Sequence, residues 1–302
     1  MATTYDYIAR NKTFSLVLIV GFTVLVGLLG WIIGAMTDYG IGGLLAAVAV
    51  AVIMAVGGYY GGDRLALAVA GARGPITKQQ QPYVYRMVEN LCLTAGLPMP
   101  KVYLINDPAI NALATGRDPQ HASVAVTTGA IDHLANEELE GVLAHELSHI
   151  QNYDVRLMML VLVLVNVVML LTRWFFYSGH FGGRRSDSRS AGSVLAIVGI
   201  VLLVLSPLIA QLVQLAVSRR REFLADASGA LLTRFPEGLT RALEKIGRVN
   251  QAPMPTAREA TAHLYFDTPF GRKVSGLSKL FMTHPPINER ISALRAMGGQ
   301  SA

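Results

Sequence analysis

Residues 142–171 read VLAHELSHIQNYDVRLMMLVLVLVNVVMLL. The stretch opens with a metal-ligand pattern, His145-Glu146-x-x-His149, and continues into an apolar run long enough to enter a lipid bilayer. On a helix, histidines four residues apart project from one face, so both imidazoles can reach one zinc ion. The stretch therefore predicts a metal site one or two helical turns from a membrane.

The whole chain is unusually apolar. Of its 302 residues, 52% are hydrophobic and 15% are charged, which indicates a membrane protein with a soluble part. The net charge of +6 comes from basic residues scattered beside apolar spans, so nucleic acid is not an expected partner. The one cysteine, Cys92, allows no intrachain disulfide, and we expect it to be a small buried residue of an amphipathic helix.

Four apolar segments are long enough to cross a bilayer core of about 30 Å. The expected transmembrane spans, which form two hairpins, are about 14–36, 40–62, 157–176 and 191–216. Glycine pairs four residues apart occur in the first two spans, at Gly30 with Gly34 and at Gly57 with Gly61. Such pairs either let the two helices approach closely or are merely tolerated in lipid.

The positions of Lys and Arg near the span ends indicate which side is cytoplasmic. Arg10 and Lys12 precede the first span, Arg64 follows the second, and three arginines at 219–221 follow the fourth. We therefore expect a multi-pass protein of the cell (inner) membrane with both termini and the soluble domain in the cytoplasm. One observation disagrees, because the outer loop 177–190 holds three arginines against one aspartate.

The sequence divides into a tail with the first hairpin, half of a soluble domain, the second hairpin and the other half of the domain, at 1–62, 63–156, 157–216 and 217–302. We expect the two soluble halves to fold together. The patterns in the first half predict a helix at 80–94 and strands at 101–105, 111–115 and 123–128. Asn136 is the N-cap candidate of the long helix that carries the histidines.

The residues around the histidines extend the metal hypothesis. Glu146 is placed to take a proton from a metal-activated water, the general-base role of a metallopeptidase. A catalytic zinc site needs a third protein ligand, for which Glu222 is the candidate. Asp226, one turn later, would then accept the spare ring N–H of one zinc histidine.

Each half of this constellation alone is also compatible with an ordinary solvated helix. The two halves would, however, lie at similar distances from the membrane. Along a helix, His149 is roughly 12 Å before the start of the third span, and Glu222 is roughly 9 Å after the end of the fourth. The second hairpin would therefore carry the two halves of the site to each other.

The same residues carry a resemblance to a known family. The resembling stretches are NALATG at 111–116, HELSHIQNYD at 145–154, EFLAD at 222–226 and THPPINER at 283–290. In these the chain resembles the HtpX-like membrane zinc metallopeptidases, relatives of the CAAX prenyl endopeptidases. The resemblance implies a mainly α membrane protein with four transmembrane helices and a cytoplasmic α+β zincin-like (gluzincin-type) domain with a small sheet. It also implies one Zn²⁺ per chain on His145, His149 and Glu222, with Glu146 catalytic.

The resemblance implies roles for two further segments. A peptide substrate would lie extended on an edge strand formed by Asn111, Ala112, Leu113, Ala114, Thr115 and Gly116. His284 and Arg290 would lie near the site and steady the tetrahedral oxyanion. From its own neighbours, two prolines, His284 is equally well explained as part of a turn before a helix.

The expected function is therefore that of an integral membrane endopeptidase. Its partners would be the lipid bilayer and polypeptide substrates, above all misfolded membrane proteins removed in quality control. Two alternatives stay open: a peptidase that processes prenylated proteins, and a non-catalytic membrane protein with a structural metal. The near absence of ionisable residues from the spans disfavours a transporter.

Overall fold

The structure is a computed structural model that describes residues 4–35, 40–163, 219–250, 252–256, 259–270 and 285–298. Its helices are α1 Thr4–Ala35, α2 Ile41–Val69, α3 Pro82–Ala95, α4 Thr128–His133, α5 Asn136–Gln151, α6 at 154–163, α7 Arg219–Thr233, α8 Pro236–Val249 and α9 Ile287–Gly298. Its strands are β1 Ala72–Arg73, β2 Lys101–Ile105, β3 Ala112–Gly116 and β4 Ala122–Thr127. Short 3-10 helices lie at Pro119–His121 and Glu259–Leu264.

Helices α1 and α2 pack against each other, and both are long and apolar enough to cross a membrane, over Ile8–Leu28 and Leu44–Val69. The first two predicted spans fall on these helices. Helix α2 is longer than its predicted span because it continues through Asp63 and Arg64 without a break. Of the third predicted span the structure describes the helical residues 157–163, while 164–176, the loop 177–190 and the fourth span lie outside the described residues.

Two glycines bring α2 against α6. A Cβ added at Gly58 would lie 2.5 Å from Val163 Cγ1, and one at Gly62 would lie 2.7 Å from Met159 Cγ. For the glycines named from the sequence, Gly57 and Gly61, no described atom would lie within 4 Å of an added Cβ. The side-chain surroundings of positions 30 and 34 lie outside the described part of the chain. A pair of glycines four residues apart, Gly58 and Gly62, therefore does form a helix contact. The contact joins α2 to α6 rather than to α1, and it lies on the face of α2 next to the one that carries Gly57 and Gly61.

The four strands form one mixed sheet in the order β1-β2-β4-β3. Strands β2 and β4 are parallel, and the two outer pairings are antiparallel. The predicted strand at 101–105 is confirmed, and the other two predictions are displaced by one residue. Strand β3 lies at one edge of the sheet, which is where a peptide could add a further strand.

Both faces of the sheet are covered. Alternate residues of β3 and β4 point to opposite sides, so that Ala112 and Val124 join a core with α5 whereas Leu113 and Ala125 join a second core with α2 and α6. A sheet with two buried faces favours apolar residues on both of them, which explains the mostly apolar sequences of its strands; Thr115, Ser123 and Thr127 are the buried polar residues of β3 and β4. The sheet is therefore a layer with α5 on one side and α2 and α6 on the other.

Helix α5 differs from its prediction at both ends. Its N-cap is Ala135, whose N–H donates to the Glu138 carboxylate at 2.8 Å, so the expected Asn136 cap is wrong by one residue. The helix ends before Asn152 because Tyr153 takes a left-handed backbone with φ of 59°. Helix α6 is thus a separate helix, and the continuous helical path expected between His149 and the third span is wrong.

Helix α3 begins two residues later than predicted and ends at Ala95, followed by its C-cap Gly96, which takes a left-handed φ of 66° that favours glycine. Cys92 is buried on this helix, 3% exposed, as predicted.

The glycine contact between α2 and α6 makes a prediction. Gly58→Ala should destabilise the protein by about 1–3 kcal/mol, because the new Cβ overlaps Val163 in a packed contact. Gly57→Ala is the matched control, since it adds the same methyl group to the same helix where no described atom lies within 4 Å, and it should be neutral or stabilising. Thermal unfolding in detergent measures both. Equal midpoints for the two variants would contradict the described contact.

Candidate metal centre

Two helices supply the three ligand candidates. His145 and His149 project from α5 and Glu222 projects from α7, with one ligand atom of each within 4.8 Å of the others. All three side chains are buried, and Glu222 is 0% exposed. A buried carboxylate is costly unless it is paired or binds a cation, so its place between two imidazoles has a chemical reason.

A glycine allows α7 to lie against α5 at this point. A Cβ added at Gly229 would lie 2.9 Å from the backbone nitrogen of His145, closer than real Cβ atoms approach backbone. Gly229 lies two turns after Glu222 on the same helix. The close approach therefore brings the Glu222 carboxylate within reach of the imidazoles.

The spacing of the ligand atoms fits a tetrahedral cation site. The two histidine Nε2 atoms are 3.1 Å apart, and the Glu222 oxygens lie 3.7 Å from His145 Nε2 and 3.6 Å from His149 Nε2. Ligand atoms bound at 2.0–2.1 Å to one tetrahedral zinc ion would lie about 3.3 Å apart. The residues present therefore fit zinc in donor type, number and separation.

Each imidazole is oriented by a carboxylate behind it. Asp226 Oδ1 lies 2.9 Å from His145 Nδ1, and Asp154 Oδ2 lies 3.0 Å from His149 Nδ1. A carboxylate at Nδ1 accepts the ring proton there and leaves the Nε2 lone pair for a metal. The two Nε2 atoms consequently face each other and Glu222.

Arg290 lies on the opposite side of His145 from Nε2. Its guanidinium donates two hydrogen bonds to Asp226, at 2.8 and 2.7 Å, and a third to the Phe266 carbonyl at 3.2 Å. In the structure Arg290 therefore holds Asp226, and the oxyanion role stays a prediction. His284 lies outside the described residues.

The pKa values of the two histidines move in opposite directions. Burial lowers the pKa of His145 to about 4, with His149 and Arg290 adding to the effect and Asp226 opposing it. Burial acts in the same direction on His149, but the hydrogen bond to Asp154 and the charges of Glu222, Asp154 and Glu146 outweigh it and raise its pKa to about 9. The carboxylates thus favour positive charge beside Nε2 of His149, which suits a cation.

The ion pair between Asp226 and Arg290, next to His145, makes the stability of the fold depend on pH. Burial would raise the pKa of Asp226, but Arg290 and the hydrogen bond to His145 lower it to about 2. A depressed folded-state pKa contributes stability that is complete above the unfolded pKa, roughly 4. This contribution is lost as the pH falls toward 2.

Glu146 is also buried, 2% exposed, and lies on α5 next to His145 in sequence. Its charge is close enough to His149 to raise the pKa of that ring. The general-base candidate therefore lies beside the ligand cluster, as the HExxH spacing requires.

The predicted substrate strand is partly occupied. Tyr265 bridges Leu113 in antiparallel fashion, and the Phe266 N–H donates to the Ala112 carbonyl at 2.8 Å. The Asn111 side chain donates to the Asp267 carbonyl at 3.0 Å and accepts from the Asp267 N–H at 3.2 Å. These contacts cover the outer edge of β3 as far as Leu113. The edge strand predicted at 111–116 thus coincides with β3, with a further segment against its first part.

Two features near the ligands have no counterpart in the sequence predictions. Asp154 lies beyond the end of α5, and its position in the sequence gave no sign of its contact with His149. Phe266 packs edge-on against His145, with ring centroids 4.8 Å apart, and Arg290 lies over its ring at 4.5 Å. A lone phenylalanine in a loop carries no pattern that predicts such a contact.

Comparison with known proteins agrees with this geometry. Residues 78–298 match the family model of peptidase family M48. The chain is 42% identical over 296 residues to a protease HtpX homolog of Dictyoglomus thermophilum, covering 98% of this chain and 95% of the relative. A protease HtpX homolog of Streptococcus thermophilus is 42% identical over 302 residues, covering 97% and 99%.

A solved structure shares the fold. The chain aligns with the crystal structure of S. mikatae Ste24p at a TM-score of 0.50 and 18% sequence identity. The alignment covers 94% of this chain and 66% of that one. At this identity the likeness concerns the fold alone.

The Arg290–Asp226 pair generates a prediction for stability. Arg290→Met should lower the free energy of unfolding by about 3–5 kcal/mol, because it leaves a buried carboxylate without its cation. Arg295→Met on the same helix is the control, since Arg295 is exposed and its pair with Glu244 should contribute less than about 1 kcal/mol. Denaturant titration in detergent micelles compares them. If Arg290→Met lowered hydrolysis without lowering stability, the holding role would be refuted.

Proposed function

Because the chain belongs to peptidase family M48 and is a membrane metalloendopeptidase, we propose that it hydrolyses peptide bonds with a zinc ion held by His145, His149 and Glu222. The observation that supports the proposal is the convergence of two imidazoles and one carboxylate, all buried, within 4.8 Å. Zinc held by these residues would supply polarisation of the scissile carbonyl and a lowered pKa of water. Three protein ligands leave one position open for chemistry.

Glu146 performs the proton transfers in this proposal. Its carboxylate takes one proton from the attacking water, whose oxygen forms a bond to the carbonyl carbon of the substrate. The C–N bond then breaks, and Glu146 passes the proton to the leaving amine. One water is consumed, and a carboxyl group and an amine are released. Asp226 and Asp154 keep the two imidazoles in the tautomer that presents Nε2.

The substrate is proposed to lie extended along β3, with the site residues 111–116 as its platform. Since Phe266 N–H bonds to the Ala112 carbonyl, the backbone groups of Ala112, and by the two-residue period of a strand those of Ala114 and Gly116, face the outer edge. In the part of the chain that the structure describes, the segment at Tyr265 pairs with β3 opposite Leu113. A substrate strand that replaced or extended this pairing would use the outward carbonyls of Ala114 and Gly116. Backbone pairing of this kind accepts many sequences.

The location proposed for this chemistry is the cytoplasmic surface of the membrane, in a multi-pass protein with both termini in the cytoplasm. Arg10 and Lys12 near one end of α1 and Arg64 near one end of α2 support the orientation. The sheet supports the location, because one of its faces packs against α2 and α6 while the other faces α5. Misfolded membrane proteins, cleared in quality control, are the proposed substrates.

Replacing the proposed base tests the function. Glu146→Gln should lower the rate of casein hydrolysis by the zinc-loaded protein in detergent at least 10²-fold, because the amide cannot accept the proton. It should leave bound zinc unchanged, since Glu146 is not a ligand. Glu137→Gln, an exposed change in the first turn of the same helix, is the control and should keep full activity. Equal rates for Glu146→Gln and wild type would contradict the assignment of the base.

The same assay separates the alternatives. Cleavage of prenylated peptides but not of casein would favour a prenyl-protein peptidase. Stoichiometric zinc without chelator-sensitive hydrolysis of any peptide would favour a structural metal.

Substrate pairing with β3 has its own test. N-methylation of alternate backbone amides in a peptide substrate should raise KM at every second position, because only those N–H groups face the Ala114 and Gly116 carbonyls. The intervening N-methyl groups point away from β3 and serve as the control. A uniform effect along the peptide would argue against an added strand.

A further inference from the structure

Helix α1 reaches the metal centre through one side chain. Asn11 lies near the N-terminal end of α1 and is buried, 6% exposed. Its Nδ2 donates to the Asn152 carbonyl at 3.0 Å and to Asp154 Oδ1 at 2.7 Å, across 141 and 143 residues of sequence. Both partners are acceptors, so the NH₂ group of the amide must be the end that faces them.

Asp154 connects Asn11 to a ligand candidate. Its other oxygen, Oδ2, lies 3.0 Å from Nδ1 of His149. With Asn11 on Oδ1 and His149 on Oδ2, the plane of the carboxylate is fixed from two sides. Arg221 lies 3.9 Å from Oδ1, beyond the length of a strong charged hydrogen bond. The short contact on Oδ1 is therefore the one from Asn11.

The backbone that carries Asp154 is irregular. It follows the end of α5, where Asn152 is the C-cap and Tyr153 has a φ of 59°. A non-glycine residue in this region costs energy and needs support from its surroundings. Helix α1 provides that support twice, because Asn11 holds the Asn152 carbonyl and Lys12 Nζ lies 4.3 Å from the centre of the Tyr153 ring.

We propose that Asn11 is a positioning residue of the metal centre, which acts through Asp154 to hold the His149 ring with Nε2 toward the cation. The first membrane helix thereby becomes part of the site's support, although it supplies no ligand. The inference rests on the proposed zinc site. Carboxylates that orient zinc histidines typically change metal affinity 10–100-fold when they are lost.

The decisive variant is Asn11→Asp in the full-length chain. It keeps the size of the side chain but replaces the donor with an oxygen that repels Asp154. Zinc affinity, measured by competition with a chelator in detergent, should fall about tenfold. Asn11→Leu, which loses the donor without adding charge, should lower the affinity in the same direction. Thr13→Ala is the control, since the Thr13 hydroxyl is exposed and bonds only within α1.

A double-mutant cycle separates positioning from general stability. In an Asp154→Ala background, Asn11→Asp should cause a clearly smaller loss of zinc affinity than in the wild-type background, because the carboxylate through which it acts is gone. Equal losses in both backgrounds, or a lower unfolding temperature with unchanged zinc affinity, would overturn the inference.

The wild-type measurement separates this inference from the proposed function. A wild-type chain that binds no zinc contradicts both. If wild type binds zinc and the Asn11→Asp and Asn11→Leu variants bind it equally tightly, the positioning role is contradicted and the proposed function is not.

Discussion

The close contact between α5 and α7 is the constraint on which the rest of the site depends. Gly229 lets α7 approach the His145 backbone so closely that no side chain fits between the two helices. This approach buries the Glu222 carboxylate against two imidazoles. A buried carboxylate in this position is stable only with positive charge beside it. The packing of α5 against α7 therefore creates the buried negative charge that favours a cation at this place.

Around this contact the structure supplies an orienting group for each imidazole from a different part of the chain. Asp226 comes from α7 and is held by Arg290 of α9, whereas Asp154 comes from the turn after α5 and is held by Asn11 of α1. The sheet adds β3, the proposed substrate strand, which packs against α5 with one face and against α2 and α6 with the other. A membrane metalloendopeptidase built in this way has its candidate site and its candidate membrane helix α2 on opposite faces of one sheet.

Local patterns predicted what depends on neighbours in sequence. The HExxH spacing placed His145 and His149 on one helical face, and the apolar run at 101–105 gave a strand with the predicted bounds. The two long apolar stretches at the N-terminus are helices that could cross a membrane. What local patterns did not predict was of another kind. The left-handed Tyr153 that separates α5 from α6, and the choice of Gly58 and Gly62 over Gly57 and Gly61, depend on what lies opposite each residue.

The sequence by itself determined the residue types of the site, the helix that carries the histidines and the family to which the chain belongs, because these are properties of spacing along one chain. The tertiary structure decided which carboxylate serves which imidazole, that Arg290 holds Asp226, and that Asn11 reaches Asp154 across 143 residues. Hydrogen bonds between distant segments leave no periodic trace in the residues that make them. Their partners are set by how helices pack in three dimensions, and only the folded chain specifies that.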